Sequence, residues 1–213
     1  MKVDELIFLD ITAHAEGRCI LSQFVSDVGD EAKMPFAVGG GISNLNQIEQ
    51  ILKAGAERVI INSAAIEKKG FVKSATDAFG SSTVAISIDV KKNFLGKQQV
   101  YIHGGKEATG LNPVAFAKQM QDEGAGELFI TSIEKEGMMQ GYDFNLIKSI
   151  SEAVTIPVIA HGGAGNDSHF ATAIRESFAS AVAAGSRFVY HGTRNAVLVN
   201  YPNSEELGGI FKA

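Results

Sequence analysis

Three short segments of this chain recur at one fixed distance, and that spacing restricts the fold more than any other feature. "PFAVGGGISN" begins at Pro35 and "PVIAHGGAGN" at Pro157, 122 positions apart. "ELIFLDI" at Glu5 and "ELFITSI" at Glu127 share this offset, as do "VIINSAA" at Val59 and "AVAAGSR" at Ala181. Each is an apolar run followed by small or polar residues, the mark of a buried strand running into a loop. Three strand ends held in register over about 60 positions describe a duplicated unit, a (βα)4 half-barrel used twice.

The rest of the chain fits that plan. Strands are expected near Glu5–Ile11, Phe36–Val38, Arg58–Ile61, Thr83–Asp89, Glu127–Ser132, Pro157–Ala160 and Ala181–Ala184, which makes seven. Amphipathic stretches such as "NLNQIEQILKAGA" and "NLIKSISEAV" lie between them, so parallel strands with crossover helices follow. "KKNFLGKQQVYIHGG" is too long and too β-rich for a plain turn and reads as a hairpin inserted after the fourth strand. At 213 residues and 45% hydrophobic, the chain suits one α/β domain over residues 1–213.

One strand has no mate. "TVAISIDV" opens the second half, and its projection by the repeat falls ahead of Met1. The expected (β/α)8 TIM barrel therefore lacks its first βα unit, which leaves two unpaired edges. A shortened chain, a barrel completed by another subunit and a rearranged seven-stranded fold all account for this. Shortening at the N-terminus is the favoured expectation.

A net charge of −5 argues against a nucleic-acid surface, yet small phosphorylated ligands remain open because backbone amides hold them without net charge. One cysteine, Cys19, permits no internal disulfide, and the chain has no long apolar run or signal-peptide pattern. A cytoplasmic protein without a membrane contact is expected.

In a barrel the chemistry sits at the C-terminal strand ends, where both glycine loops fall. Gly41, with Asn62 and Ser63 at the next strand end, forms one candidate phosphate grip. Gly163, with Gly185 and Ser186, forms the other, and Gly137 adds a further backbone amide. One glycine turn is as easily structural as functional; two related by a repeat favour a substrate with a phosphate at each end. Asp10 and Asp89 both end apolar runs, where a carboxyl can be tuned for acid–base work. A helix cap or salt bridge explains a lone Asp equally well, but Asp89 stands at the centre of the repeat. Thr131, Glu134 and Glu136 gather at another strand end, either near substrate or in a solvated loop. His103 and His161 have no second ligand at zinc spacing, so they read as loop or supporting residues and no metal site is expected.

"DELIFLDITA", "VGGGI", "INSAA", "SIDVKK", "GYDFNLIKSISEAV" and "IPVIAHGGAG" together resemble the HisF family, the cyclase subunits of imidazole glycerol phosphate synthase. The resemblance runs from about Val3 to Ser186 and fits better than the related isomerase of the same pathway, HisA. It implies a two-half (β/α)8 barrel that takes ammonia from a glutaminase partner, HisH, through its interior. The reaction implied is conversion of the bisphosphorylated PRFAR to imidazole glycerol phosphate and AICAR, a lyase or synthase step in an amidotransferase complex, with no cofactor. By position, Asp89 matches a catalytic aspartate. Gly41, Asn62, Ser63, Gly137, Gly163, Gly185 and Ser186 match phosphate contacts. Glu5, Glu127 and Arg58 match an ammonia gate, where the family usually has lysine in place of Arg58.

Departures from the family pattern keep other readings open. The family's first catalytic aspartate lies on the strand that projects ahead of Met1. "EKEGMM" stands where "DRDGT" is usual, so Glu134, Glu136 and Met138 alter the polar contacts. The tail over 187–213 diverges, lacks the usual last helix and is closer to HisF-like proteins such as WbuZ, which are linked to amidation of surface-polysaccharide sugars. A non-catalytic barrel that only binds the glutaminase is the third reading.

Overall fold

A parallel sheet backed by helices organises the chain, and the pairing of its strands places every candidate residue at one end or the other. The computed structural model describes residues 3–191 and 196–211. Seven parallel strands form the core: β1 (Leu6–Leu9), β2 (Phe36–Gly39), β3 (Arg58–Ile61), β4 (Val84–Lys92), then, after a hairpin, β7 (Glu127–Ser132), β8 (Val158–His161) and β9 (Ala181–Val182). The hairpin is β4 itself folding back on β5 (Gln98–Ile102), which also pairs β6 (Glu107–Ala108). The fourth strand therefore runs three residues beyond the expected Asp89, because Val90 to Lys92 pair with β5 and Val90 also pairs with Ser132 of β7. The first and last strands are shorter than expected, for each has a partner on only one side among the described residues.

Helices cover the outside: α1 (Ser22–Glu31), α2 (Leu45–Lys53), α3 (Ser63–Glu67), α4 (Phe71–Phe79), α5 (Pro113–Asp122), α6 (Phe144–Ser151) and α7 (Asp167–Arg175). Asn44, Asn112, Asp143 and Asn166 start α2, α5, α6 and α7, each side chain accepting a backbone N–H from the first turn. Ile48 and Ile51 of α2, and Leu146, Ile147 and Ile150 of α6, bury the helical face that meets the sheet. Strand residues alternate. Phe36, Val38, Val59, Ile61, Ile86, Ile88, Leu128 and Ile130 join that outer core, while Ile7, Ala37, Ile60 and Ala85 form a separate inner cluster. This is the architecture of a TIM-barrel-like α/β fold with seven core strands.

The repeat holds at residue level in its first two strand pairs. Leu6 pairs with Phe36 and Leu128 with Val158, while Leu9 pairs with Gly39 and Thr131 with His161. Asn44 and Asn166 cap α2 and α7 with nearly the same extended backbone. The third pair slips by one residue: Ala37 faces Arg58, but Ile159 faces Ala181 rather than Ser180. Among the described residues, two-residue β9 has no further strand beyond it to hold its register.

Of the tail over 187–213, residues 192–195 and 212–213 lie outside the described residues. The remainder forms α8 (Ser186–Val189), the short antiparallel pair β10 (Tyr190–His191) and β11 (Ala196–Val197), and α9 (Ser204–Phe211). The expectation that the tail lacks a last helix is thus corrected. Asn203 caps α9, accepting from the Glu205 and Glu206 amides, while the Glu206 carboxylate accepts from the Asn203 amide. Gly208 and Gly209 inside the helix disguise it in the sequence. Arg175 of α7 donates to the Ile210 carbonyl, and the Tyr201 hydroxyl meets Asp4 just ahead of β1. The tail thereby reaches from the β9 side of the sheet to the β1 side.

Candidate functional site

Because the seven strands run parallel, their C-terminal ends share one rim. The β4–β7 register sets Asp89 beside Thr131, and the β7–β8 register sets Thr131 beside His161. Register partners point to the same face, so the three side chains form one row across three strands. The Asp89 carboxylate accepts a hydrogen bond from Ser87 Oγ at 2.9 Å, and Thr131 stands beside it on the next strand. His161 Nδ1 lies 3.1 Å from Thr131 Oγ1, and the Phe129 ring stacks on the imidazole with centroids 4.7 Å apart. Asp89 keeps some surface open at the rim, but protein atoms crowd it from every other side. Burial, reinforced by the Glu136 charge, pushes its pKa above the ordinary carboxylate value against the pull of the neighbouring hydroxyls. Burial lowers the pKa of His161, and Glu136 opposes it.

On the second-half side, Gly137, Gly163, Gly185 and Ser186 line a single small recess together with Glu136, His161 and Gly162. The four expected phosphate contacts on this side are therefore brought together. Glu136 adds a carboxylate to the same wall, its Oε2 3.7 Å from His161 Nε2. Glu134 lies apart, with its carboxylate 3.4 Å from the Lys92 amide on the hairpin.

On the first-half side, Gly41, Asn62 and Ser63 follow the neighbouring strands β2 and β3, each engaged by its own surroundings. Asn62 Nδ2 donates to the Ser87 carbonyl, and Ser63 Oγ donates to Asn62 Oδ1 and accepts the His103 amide. His103 in turn meets Glu67 at 2.6 Å and Glu107 at 3.0 Å and stacks on His14 with centroids 3.9 Å apart. The hairpin is thus pinned to α3 and to the loop after β1 directly above Ser63. Gly41 has φ +66°, and a Cβ there would fall 1.9 Å from the Arg18 carbonyl. Its repeat mate Gly163 has φ +111°, with a Cβ 2.5 Å from the Gly141 carbonyl. Both glycines admit the neighbouring loop as closely as any ligand.

Asp10 ends β1 and serves its own loop. Oδ1 accepts the Thr12 and Ala13 amides and the Thr12 hydroxyl, and Arg18 lies 2.5 Å from Oδ2. The Arg18 hydrogen bond, ahead of the Thr12 contacts and against some desolvation, lowers its pKa to about 2. Asp10 also lines an apolar cavity of about 330 Å³ at the open edge, with Phe8, Leu9, Ile20, Leu21 and Phe24.

At the opposite, N-terminal end of the sheet, the three expected gate residues meet. Arg58 begins β3, with its guanidinium 2.6 Å from Glu5 and 3.7 Å from Glu127. Burial raises the pKa of Glu127, Arg58 lowers it and Glu5 raises it. The inner cluster of Ile7, Ala37, Ile60 and Ala85 lies between this trio and the rim.

Sequence reasoning missed Arg18, and it read His103 and His161 as loop or supporting residues without naming what they touch. Arg18 stands eight residues beyond Asp10 across a tight loop, a separation that carries no period. His161 did carry a signal, since it is the repeat mate of Gly39 and stands where an inward-facing strand residue ends.

No helix among the described residues is long and apolar enough to cross a membrane. A family model described as "Histidine biosynthesis protein" matches residues 1–194. The imidazole glycerol phosphate synthase subunit HisF of Alkaliphilus metalliredigens is 44% identical over 188 residues, 88% of this chain and 75% of that protein. A putative subunit of the same name from Leptospira interrogans is 38% identical over 211 residues, 99% of this chain and 83% of that protein. The HisF subunit of Petrotoga mobilis is 47% identical over 169 residues, 79% and 67% respectively. With its duplicated strands and paired glycine turns, the chain belongs to the histidine biosynthesis protein family.

Proposed function

We propose that this chain is a HisF-type cyclase subunit, taking ammonia from a HisH-like glutaminase and adding it to PRFAR, with imidazole glycerol phosphate and AICAR as products. The observation that carries this reading is that Asp89 and the Glu5–Arg58–Glu127 trio lie at opposite ends of one interior, separated by a layer of small and aliphatic side chains. Ammonia admitted at the floor travels past Ile7, Ala37, Ile60 and Ala85 to the rim. There the substrate spans the strand ends, one phosphate at Gly41, Asn62 and Ser63, the other at Gly137, Gly163, Gly185 and Ser186. Asp89 serves as general acid or base, since a raised pKa brings its protonated form nearer to working pH. Thr131 stands beside it on the next strand.

Calorimetry with PRFAR and assay with ammonium ions test this. Saturable binding is expected, weakened about 10-fold, or about 1.4 kcal/mol, by Gly137→Ala or Ser186→Ala. Asp89→Asn should bind PRFAR and form no product. Failure to bind PRFAR overturns the reading, as does product formation by the Asp89→Asn protein at the parent rate.

One feature favours a second reading, an ammonia-delivery subunit for amidation of a surface-polysaccharide sugar. Glu136 puts a carboxylate into the recess where a phosphate is expected, and like charges there oppose each other. Tight binding of a sugar substrate with negligible affinity for PRFAR would select this alternative.

A further inference from the structure

We propose that His169 is a positioning residue for the second phosphate grip: its neutral ring holds the loop that carries Gly163, and lets it go on taking up a proton. This deepens the proposed function, since it rests on the recess being a phosphate site. His169 does not line that recess and acts through Gly165.

The duplicated fold builds one hydrogen bond twice. In the first half Asn44 caps α2, and Gln47 reaches back from the first turn so that its Oε1 accepts the Ser43 amide at 2.8 Å. In the second half Asn166 caps α7, and His169 Nδ1 accepts the Gly165 amide at 3.1 Å. Gln47 and His169 are repeat mates, as are Ser43 and Gly165, each pair 122 positions apart. Both helices thus begin with a reciprocal cap, in which the cap residue and the first turn satisfy each other's end of the chain. A backbone N–H can only donate, so Nδ1 must offer a lone pair and the neutral ring carries its hydrogen on Nε2. Asn166 Nδ2 stands 3.4 Å from Nε2, while its Oδ1 is occupied by the Ser168 hydroxyl and the His169 amide.

The bond matters because of what the loop carries. Gly162, Gly163 and Ala164 line the recess, and so does Met139 across from them. Gly165 is seated so tightly that a Cβ on it would fall 1.9 Å from the Met139 carbonyl. A shift at Gly165 therefore moves two walls of the recess together.

An imidazolium has a hydrogen on each nitrogen and no lone pair, so turning the ring over restores nothing. Gly165 N–H would then face another N–H at 3.1 Å, and the loop must move. The Gln47 amide does not titrate, so the first-half loop has no such sensitivity. Burial, followed by the Lys135 charge, lowers the His169 pKa, which extends the holding form further into acid. Among the described residues, Lys135 in the loop after β7 is the charge that faces the ring. From α6 the ring meets Phe144, and neighbouring Asp143 is taken by the Leu146 amide and Gln98. Asp167 on its own helix is bound to Arg187 at 3.0 Å.

Nitrogen-15 spectra of the His169 ring and the Gly165 amide, followed through pH, test the hydrogen bond without any assay of turnover. The neutral ring should show the Nε2–H pattern, and the Gly165 amide should move with the His169 titration. Inorganic phosphate, its binding read at the Gly163 and Gly185 amides, then probes the recess. His169→Gln places the first-half residue here and keeps an acceptor that cannot protonate. Parent and Gln variant should bind phosphate alike above the His169 titration, and below it the parent should bind about 10-fold more weakly. Comparing the two at each pH cancels the titration of phosphate itself and of His161 and Glu136. His169→Leu should bind weakly throughout, and circular dichroism checks that each variant is folded. A neutral ring with its hydrogen on Nδ1 overturns the proposal, as does a parent-to-Gln affinity ratio that is constant with pH. A ratio that favours the parent in acid overturns it too, since the imidazolium charge would then outweigh the lost bond. If the Gly165 amide follows His169 while neither protein binds phosphate at any pH, the hold on the loop stands and the phosphate reading of the recess falls.

Discussion

Arg58 holds the Glu5 carboxylate at 2.6 Å across the floor of the sheet, and the same guanidinium lies 3.7 Å from its repeat mate Glu127. Removing it leaves two partly buried carboxylates facing each other. Arg58→Ala should cost about 1–3 kcal/mol in urea denaturation. Burial already raises the folded pKa of Glu127 above its unfolded value near 4.5, so its stabilising contribution is complete below that value and is lost as pH rises through the folded pKa. Losing Arg58 raises that folded pKa further. The variant should therefore be more destabilised, relative to the parent, at pH 7 than at pH 5. Equal destabilisation at the two pH values would contradict the arrangement.

Asp10 behaves in the opposite sense. Its folded pKa, about 2, lies below the ordinary 3.8, mainly through the Arg18 hydrogen bond. The ionised form is the stabilising one, so its contribution is present above pH 4 and is lost as pH falls toward 2. Arg18→Ala should return the Asp10 titration toward the ordinary range in carbon-13 spectra. The variant's stability should also lose part of its decline between pH 4 and 2. A midpoint that stays near 2 without Arg18 would assign the shift to the Thr12 contacts instead.

Gly41 and Gly163 have to be glycine for reasons within the chain. Positive φ and a carbonyl within 2.5 Å of the would-be Cβ at both positions mean that an alanine must displace backbone. Gly41→Ala and Gly163→Ala should each cost about 3 kcal/mol in thermal or urea unfolding. Gly17 has similar backbone, φ +64°, but open space around it, so Gly17→Ala should cost about 1 kcal/mol. A similar loss at all three sites would show that the backbone angle alone matters.

How legible this was depended on whether a feature repeats. The glycine turns and the strand ends at Glu5 and Glu127 occur twice, so the offset located them and correctly set them on common rims. Asp89 and Thr131 were each placed at a strand end, and the β4–β7 register is what sets them side by side. Arg18 against Asp10 and His103 against Ser63 were out of reach, because a loop's side-chain pairing leaves no period in the sequence. The last helix was hidden by Gly208 and Gly209, although the Asn203-to-Glu206 capping pattern announced it. The one-residue slip of β9 also depends on what flanks it in space, which no local pattern encodes.

The β1 edge poses the final test. Among the described residues β1 pairs only with β2, so its other side leaves a row of backbone donors and acceptors without a strand partner. Leu21, 60% exposed, lines the apolar cavity at that edge with Leu9 and Phe24, and Ile11, 85% exposed, follows two residues after the end of β1. Such an edge joins hydrogen bonding to apolar burial, the two requirements for strand pairing between chains. Sedimentation velocity should show association of this chain that grows with concentration. Lysine at both positions, Ile11→Lys with Leu21→Lys, charges the edge and should raise the concentration of half-association about 10-fold, or about 1.4 kcal/mol. The substituted side chains lie outside the buried core, so the melting temperature should barely change. A parent chain that stays monomeric at every concentration, or a lysine variant that associates as readily, would show that this edge is shielded in solution.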